Sequence, residues 1–210
     1  MMKAIVGMVA AVALAVTPAA AGAGERVTPR AALAVHELAR CVFLAEPNRV
    51  RTLLTMRQAD SRYASTFQHL VERNACLATG TLSTNNRIFK GALAEFALFR
   101  DLGGEPLAAH VGDDPALPPI RTSDESEIMS ICVVRARPEQ VEALFQTEPS
   151  SRSETAALQA IAPTLPGCLR RGARAELDRS SLRAMLASAA FRLADRGHAE
   201  AAGDASAVTH

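Results

Sequence analysis

The chain has 210 residues, and its 23 lysines and arginines against 22 aspartates and glutamates give a formal net charge of +1. This near balance argues against a nucleic-acid partner, because affinity for nucleic acid comes chiefly from neutralising phosphates. The chain has no tryptophan and only one tyrosine, Tyr63, so it also offers few rings on which bases could stack.

The N-terminal segment, residues 1–23, has the pattern of a secretory signal peptide. Lys3 supplies a positive start, residues 4–16 are apolar, and small residues allow cleavage after Ala21 or Ala23. The apolar stretch is shorter than the roughly 20 residues of a spanning helix, so a membrane anchor is the less favoured alternative. We predict a periplasmic or secreted protein with no transmembrane segment in the mature chain, and the richness in alanine and arginine suggests a bacterial origin.

Four cysteines are spread along the chain: Cys41, Cys76, Cys132 and Cys168. An even number of cysteines in an exported chain predicts disulfides, and four thiols permit three connectivities. No pair has the C-x-x-C spacing of a redox motif, and the wide separation is unlike that of a structural zinc site. We therefore expect no metal and no cofactor.

The chain resembles itself at an offset of about 91 residues. Residues 41–53 and 132–144 share six identities in thirteen positions. A second cysteine follows each segment, Cys76 after the first and Cys168 after the second. Small indels let the offset drift to 92 and 93 further along. We interpret the pattern as a tandem duplication. The predicted divisions are repeat 1 at 28–101, a linker at 102–121, repeat 2 at 122–195 and a disordered tail at 196–210.

The duplication also favours one disulfide connectivity. A single ancestral unit had to satisfy both of its own thiols, so we predict the bonds Cys41–Cys76 and Cys132–Cys168. Each bond would close a loop of about 35 residues, which stabilises a fold by roughly 3 to 4 kcal/mol on the chain-entropy model.

Periodic apolar residues and helix-start signals predict four helices in each repeat, so the fold class is all-α. Pro47 and Pro138 are expected to end the first helix of each repeat and to begin the second. The third helices are predicted at 66–77 and from Glu154 to about 165. The fourth helices are predicted at 84–100 and 179–194. The two repeats should pack around an approximate two-fold axis.

Helix N-caps are expected at four places. Thr28 precedes Pro29, Thr122 has capping-box spacing to Glu125, and Ser83 and Asp178 precede the fourth helices.

Candidate catalytic and metal-binding groups are few. His36 and Glu37 begin like H-E-x-x-H, but the second histidine is missing, so a zinc-protease site is not supported. Glu95 lies in an apolar segment where burial could raise its pKa and make it a general acid. More often such a residue pairs with an arginine. Its counterpart in repeat 2 is Ser188 or Ala187. The linker residues His110, Asp113 and Asp114 could take a hard cation, but a solvated loop is the favoured interpretation.

The densest positive cluster belongs to repeat 2: Arg170, Arg171, Arg174, Arg179 and Arg183. Such a cluster could contact an anionic envelope component or an acidic protein partner, although a solvated helical rim is the simpler interpretation. Phenylalanine is instead concentrated in repeat 1, which thicker core packing would explain.

Three functions compete on the sequence. We favour an exported cell-envelope binding or scaffold protein without catalytic activity. The alternatives are an envelope hydrolase with Glu95 as general acid, and a purely structural or stress-protective helical protein. The sequence does not identify the ligand or partner.

Overall fold

The structure is a computed structural model, and it describes residues 28–72, 76, 85–112, 119–120, 122–171 and 178–207. All regular structure in these residues is helical, which confirms the all-α prediction. The helices are α1 Pro29–Ala45, α2 Pro47–Thr55, α3 Tyr63–Val71, α4 Asn86–Leu102, α5 Glu125–Ala136, α6 Pro138–Phe145, α7 Arg152–Ile161, α8 Leu165–Cys168 and α9 Arg179–Ala207, with short 3-10 turns at Leu107–Ala109 and Ala162–Thr164.

Proline divides the first two helices of each half, as expected. Pro47 and Pro138 each occupy the first turn of the second helix. The residues before them, Glu46 and Arg137, have nearly the same backbone angles, with φ and ψ of −139° and 59° and of −143° and 51°. A proline restricts the preceding residue to non-helical conformations, so the chain bends in the same way at both places.

The third helices begin earlier than the sequence predicted. α3 starts at Tyr63 and ends at Val71, whereas residues 66–77 were expected. α7 starts at Arg152, because the Ser151 hydroxyl accepts a hydrogen bond from the Glu154 amide and caps it.

The predicted caps are partly right. Thr28 accepts from the Ala31 amide, and Asp178 accepts from the Ser181 amide. At α5 the prediction was wrong, because Asp124 is the cap and the Thr122 hydroxyl instead accepts from the Asp124 amide. The cap of α4 is Asn85. Ser83 lies outside the described residues.

Both predicted disulfides are present, Cys41–Cys76 and Cys132–Cys168, each with a Cα–Cα distance of 5.6 Å. The first ties α1 to the chain beyond α3, and the second ties α5 to α8. No described helix combines the length and apolar character needed to cross a membrane. The predicted signal peptide lies outside the described residues.

The long helices α4 and α9 pack against each other at the centre of the fold, with α1 on α4 and α5 on α9. They approach each other closely at Gly91, where an added Cβ would lie 2.3 Å from the Cα of Ala184. Glycine is needed here because any side chain would separate the two helices.

Helix α9 continues to Ala207, so helical backbone covers most of the segment 196–210. The disorder expected for this segment stays a prediction.

The buried positions of the two halves follow the same spacing. α5, α6 and α7 contain ten buried residues, and each has a buried counterpart 91 residues earlier in α1, α2 or α3. At an offset of 93, Leu93 and Ala94 of α4 likewise correspond to the buried Leu186 and Ala187 of α9.

Candidate functional site

Two basic side chains, one from each helix of the central pair, lie beside the contact between these helices. Lys90 precedes Gly91 in α4, and Arg183 precedes Ala184 in α9. Because Gly91 and Ala184 are in contact, both cations lie next to the place where the two helices meet. Their surroundings differ in charge and in space.

Arg183 is enclosed by carboxylates of the protein itself. Its Nε and Nη2 donate to the two oxygens of Glu95 at 2.9 and 2.6 Å, and its Nη1 donates to Glu154 Oε1 at 3.2 Å. The guanidinium also donates to the carbonyl oxygens of Phe145 and Thr147 and to the Thr147 hydroxyl. All three charged residues are at most 5 % exposed. A bidentate arginine–carboxylate pair is a strong and directional contact, so this network joins α4, α7 and α9.

Burial raises the pKa of Glu95, whereas the hydrogen bonds and charge of Arg183 act against that rise. The same surroundings lower the pKa of His36 to about 4, first by burial and then by the charge of Arg183. The cavity that His36, Glu95 and Arg183 share has a volume of only about 10 Å³. That is room for one water at most, and a substrate cannot enter.

The arrangement therefore does not support Glu95 as a general acid. The carboxyl is buried beside another carboxylate and a histidine, but both of its oxygens are held by Arg183. A catalytic acid must reach the proton acceptor of a substrate, and the cavity at Glu95 is too small to hold one.

The corresponding space beside Lys90 is open. A cavity of about 390 Å³ lies between α4, α9, the start of α5 and the turn after α2. We call it the Lys90 cleft, and its lining includes Met56, Arg57, Arg87, Lys90, Asp124, Ser126, Glu127, Met185, Ser188, Ala189 and Arg192. Its volume falls within the range of small-molecule sites. The four cations and two acids of the lining leave a formal excess of two positive charges.

Lys90 has aromatic but not acidic contacts. Its Nζ lies 5.4 Å from the centroid of the Tyr63 ring, within the range of a cation–π contact. Among the described residues, no carboxylate lies within ion-pair distance of Lys90, whereas Arg192 pairs with Glu127. Burial and the charge of Arg192 lower the pKa of Lys90 to about 8. An amine with a pKa of about 8 is still mostly protonated at neutral pH.

A second, open groove runs along the end of α1, α2 and α3. Its cations are already paired, Arg49 with Glu46 at 2.8 Å and Arg62 with Asp60 at 3.4 Å. This groove is less suited to an anion than the Lys90 cleft.

The four described residues of the predicted arginine cluster differ in exposure. Arg183 is buried, and it pairs there with Glu95 and Glu154. Arg170 and Arg171 are exposed, and Arg170 pairs with Glu125 at 2.9 Å. Arg179 donates to the Thr155 hydroxyl at 2.8 Å. Arg174 lies outside the described residues, and a binding role for the exposed arginines stays a prediction.

The described residues contain no group of histidine, cysteine and acidic side chains that could hold a metal. His36 packs edge-on against Phe96, with 6.2 Å between ring centroids, and His110 contacts Glu105 at 2.8 Å. Asp113 and Asp114 lie outside the described residues.

Sequence reasoning did not identify the Lys90 cleft. Lys90 and Ser188 lie on helices nearly a hundred residues apart, and neither belongs to a recognised motif. One signal was present, because Lys90 is the sole lysine after the predicted signal peptide.

No protein-family model matches the chain, and comparisons with curated proteins and with solved structures give no match either. The functional argument therefore depends on the geometry of the chain itself.

Proposed function

We propose that this chain is an exported cell-envelope binding protein without catalytic activity, which binds a small anionic ligand in the Lys90 cleft. The observation that carries the proposal is the contrast between the two sides of the central helix pair. Beside Arg183 the cation is neutralised by the protein's own carboxylates, and beside Lys90 an open cavity of about 390 Å³ has a positive lining. Unpaired cations in a concave site favour an anion.

We further propose that the two halves arose by tandem duplication and are related by an approximate two-fold axis. Three observations support this: the matching order of the longer helices, the matching disulfides and the common spacing of buried residues. After a duplication, one half can keep a structural network while the other changes into a binding site.

The proposed export has two supports. Residues 1–23 have the signal-peptide pattern. Two disulfides with no free cysteine are typical of proteins in an oxidising compartment such as the periplasm or the extracellular space.

Thermal unfolding in the presence of anions tests the proposed function. A ligand that binds only the folded state raises the stability by RT ln(1 + [L]/Kd). We expect succinate, hexanoate or inorganic phosphate at millimolar concentration to raise the Tm of the wild type. The double variant R87E/K90E, which reverses two cations of the cleft, should lose this response.

The matched control is R170E/R171E, which reverses two exposed arginines outside the cleft. It should respond like the wild type. A response lost in R170E/R171E and kept in R87E/K90E would place anion binding at the exposed arginines instead. No response of the wild type to any of these anions would favour the purely structural function.

A further inference from the structure

The surroundings of the two central cations can be compared position by position. At the offset of 93 that relates α4 to α9, Lys90 corresponds to Arg183 and Ser188 corresponds to Glu95. At the offset of 91 that relates α3 to α7, Tyr63 corresponds to Glu154, and both are buried first-turn residues. Each residue of the Arg183 network thus has a counterpart on the other side: Lys90 for Arg183, Ser188 for Glu95 and Tyr63 for Glu154.

The two positions that hold the carboxylates beside Arg183 have a different chemistry beside Lys90. Arg183 pairs with Glu154, and Lys90 lies over the Tyr63 ring. Arg183 also pairs with Glu95, but the side chain of Ser188 has three fewer heavy atoms than that of a glutamate, and its hydroxyl donates to the Ala184 carbonyl at 2.9 Å. The side of Lys90 therefore has no counterpart of the Glu95 and Glu154 carboxylates, and Ser188, which replaces Glu95, lines the cleft.

We propose that the Lys90 cleft binds an organic carboxylate, whose carboxyl group occupies the position beside Lys90 that corresponds to the Glu95 carboxylate beside Arg183. This inference rests on the proposed function and specifies its ligand class. The ligand restores the charge pairing that the protein supplies to Arg183 internally. A cation held in a half-buried site gains most from a partner that excludes water.

The lining also indicates an apolar body on the ligand. The apolar part of the lining consists of Met56, Met185 and Ala189. Methionine side chains adapt to ligands of different shape. An acid with a hydrocarbon part can contact both kinds of lining. A fully hydrated inorganic anion contacts only the charged part.

The methionines provide a direct test. Two of them, Met56 and Met185, line the cleft, and Met129 is buried in the core outside the lining. In the protein labelled with 13C at the methionine methyls, we expect benzoate and hexanoate to shift the Met56 and Met185 signals and to leave Met129 in place. Benzamide and hexanamide, which have nearly the same shape without the charge, should bind at least tenfold more weakly.

Four variants connect this binding to the proposed position. K90M should weaken benzoate binding at least tenfold. K90R, which introduces the residue type found at position 183, should keep it. S188E should abolish binding by supplying an internal carboxylate. Its control S188Q fills the same space without charge. Only S188E should raise the pKa of Lys90 toward the usual lysine value, which the 13C signal of the lysine side chain reports without any ligand.

The outcomes separate the two proposals. If inorganic phosphate shifts the cleft methionines and K90M prevents this, while neither carboxylate binds, the carboxylate assignment is wrong and the anion-binding function stands. If the amides bind as well as the acids, or S188E leaves the lysine pKa unchanged, the assigned position is wrong. If no anion shifts Met56 or Met185, both proposals fail.

Discussion

Arg183 of α9 donates two parallel hydrogen bonds to the carboxylate of Glu95 in α4, 88 residues earlier in the chain, with both side chains buried. The pair crosses the main interface of the fold. Glu154 of α7 joins it from a third helix. This buried network of Arg183, Glu95 and Glu154 therefore holds three helices in one arrangement.

Removing the cation of this network should destabilise the fold. We expect R183M to lower the free energy of unfolding by about 3–5 kcal/mol, because two carboxylates then remain buried without their partner. Urea unfolding monitored by circular dichroism measures the loss. The matched control is K90M at the corresponding cation, which leaves no buried carboxylate behind and should change stability by about 1 kcal/mol or less. Equal losses in both variants would contradict the structural role of the network.

The contact of Gly91 with Ala184 should not tolerate a methyl group. The Cβ of G91A would lie 2.3 Å from Ala184 atoms, so α4 and α9 would have to separate. Overpacking of this kind costs about 1–3 kcal/mol. G112A is the control, because no atom lies within 4 Å of a Cβ built there. Calorimetric melting should show a clearly lower Tm for G91A alone, and an unchanged Tm would mean that the helices are further apart than described.

The two disulfides should contribute comparable stability. Their sequence separations are 35 and 36 residues, so the chain-entropy model gives nearly equal effects. We expect C41A/C76A and C132A/C168A each to lose about 2–5 kcal/mol in urea unfolding. Wild type with both bonds reduced serves as the reference for the combined loss. A negligible loss in one double variant would show that its bond does not restrain the unfolded chain.

His36 should make the protein less stable in mild acid. Its pKa is lowered from 6.5 to about 4 in the fold, so between these values the unfolded chain binds more protons than the folded one. Stability then falls as the pH drops through this window, by up to about 1.4 kcal/mol per pH unit from this group.

The same cavity contains Arg183, Glu95 and Glu154, and the raised pKa of Glu95 acts in the opposite direction. The comparison is therefore with H36Q, which retains the other groups. Urea unfolding at several pH values between 4 and 7 should show a shallower decline for H36Q. Parallel curves would mean that His36 is not responsible.

Carboxylate binding in the cleft should weaken in alkali. Lys90 has a pKa of about 8, so its positive charge is lost as the pH rises through that value, and the attraction for an anion falls with it. We expect the affinity for benzoate to decline between pH 7 and 9.5, as followed by the Met185 methyl signal. K90R keeps its charge over this range and should show little decline. A decline of equal size in K90R would assign the titration to another group.

Sequence by itself determined the helical class, the disulfide partners and much of the local structure. Pro47 and Pro138 begin their helices because a proline acts on its own neighbours in the chain. Thr28 and Asp178 accept from amides three residues ahead, which is likewise a local property. The pairing of cysteines followed from the internal similarity, since equivalent thiols had to find partners within their own half.

Only the tertiary structure decided which distant residues meet. In sequence, Arg183 belonged to a run of arginines and Glu95 was a candidate acid, and their pairing depends on the crossing of α4 and α9. Periodicity shows that both helices have buried faces but not which positions oppose each other. The sequence likewise does not show that Lys90 and Ser188 line one cleft. That cleft exists because packing leaves space beside Lys90, whereas beside Arg183 the carboxylates of Glu95 and Glu154 fill it.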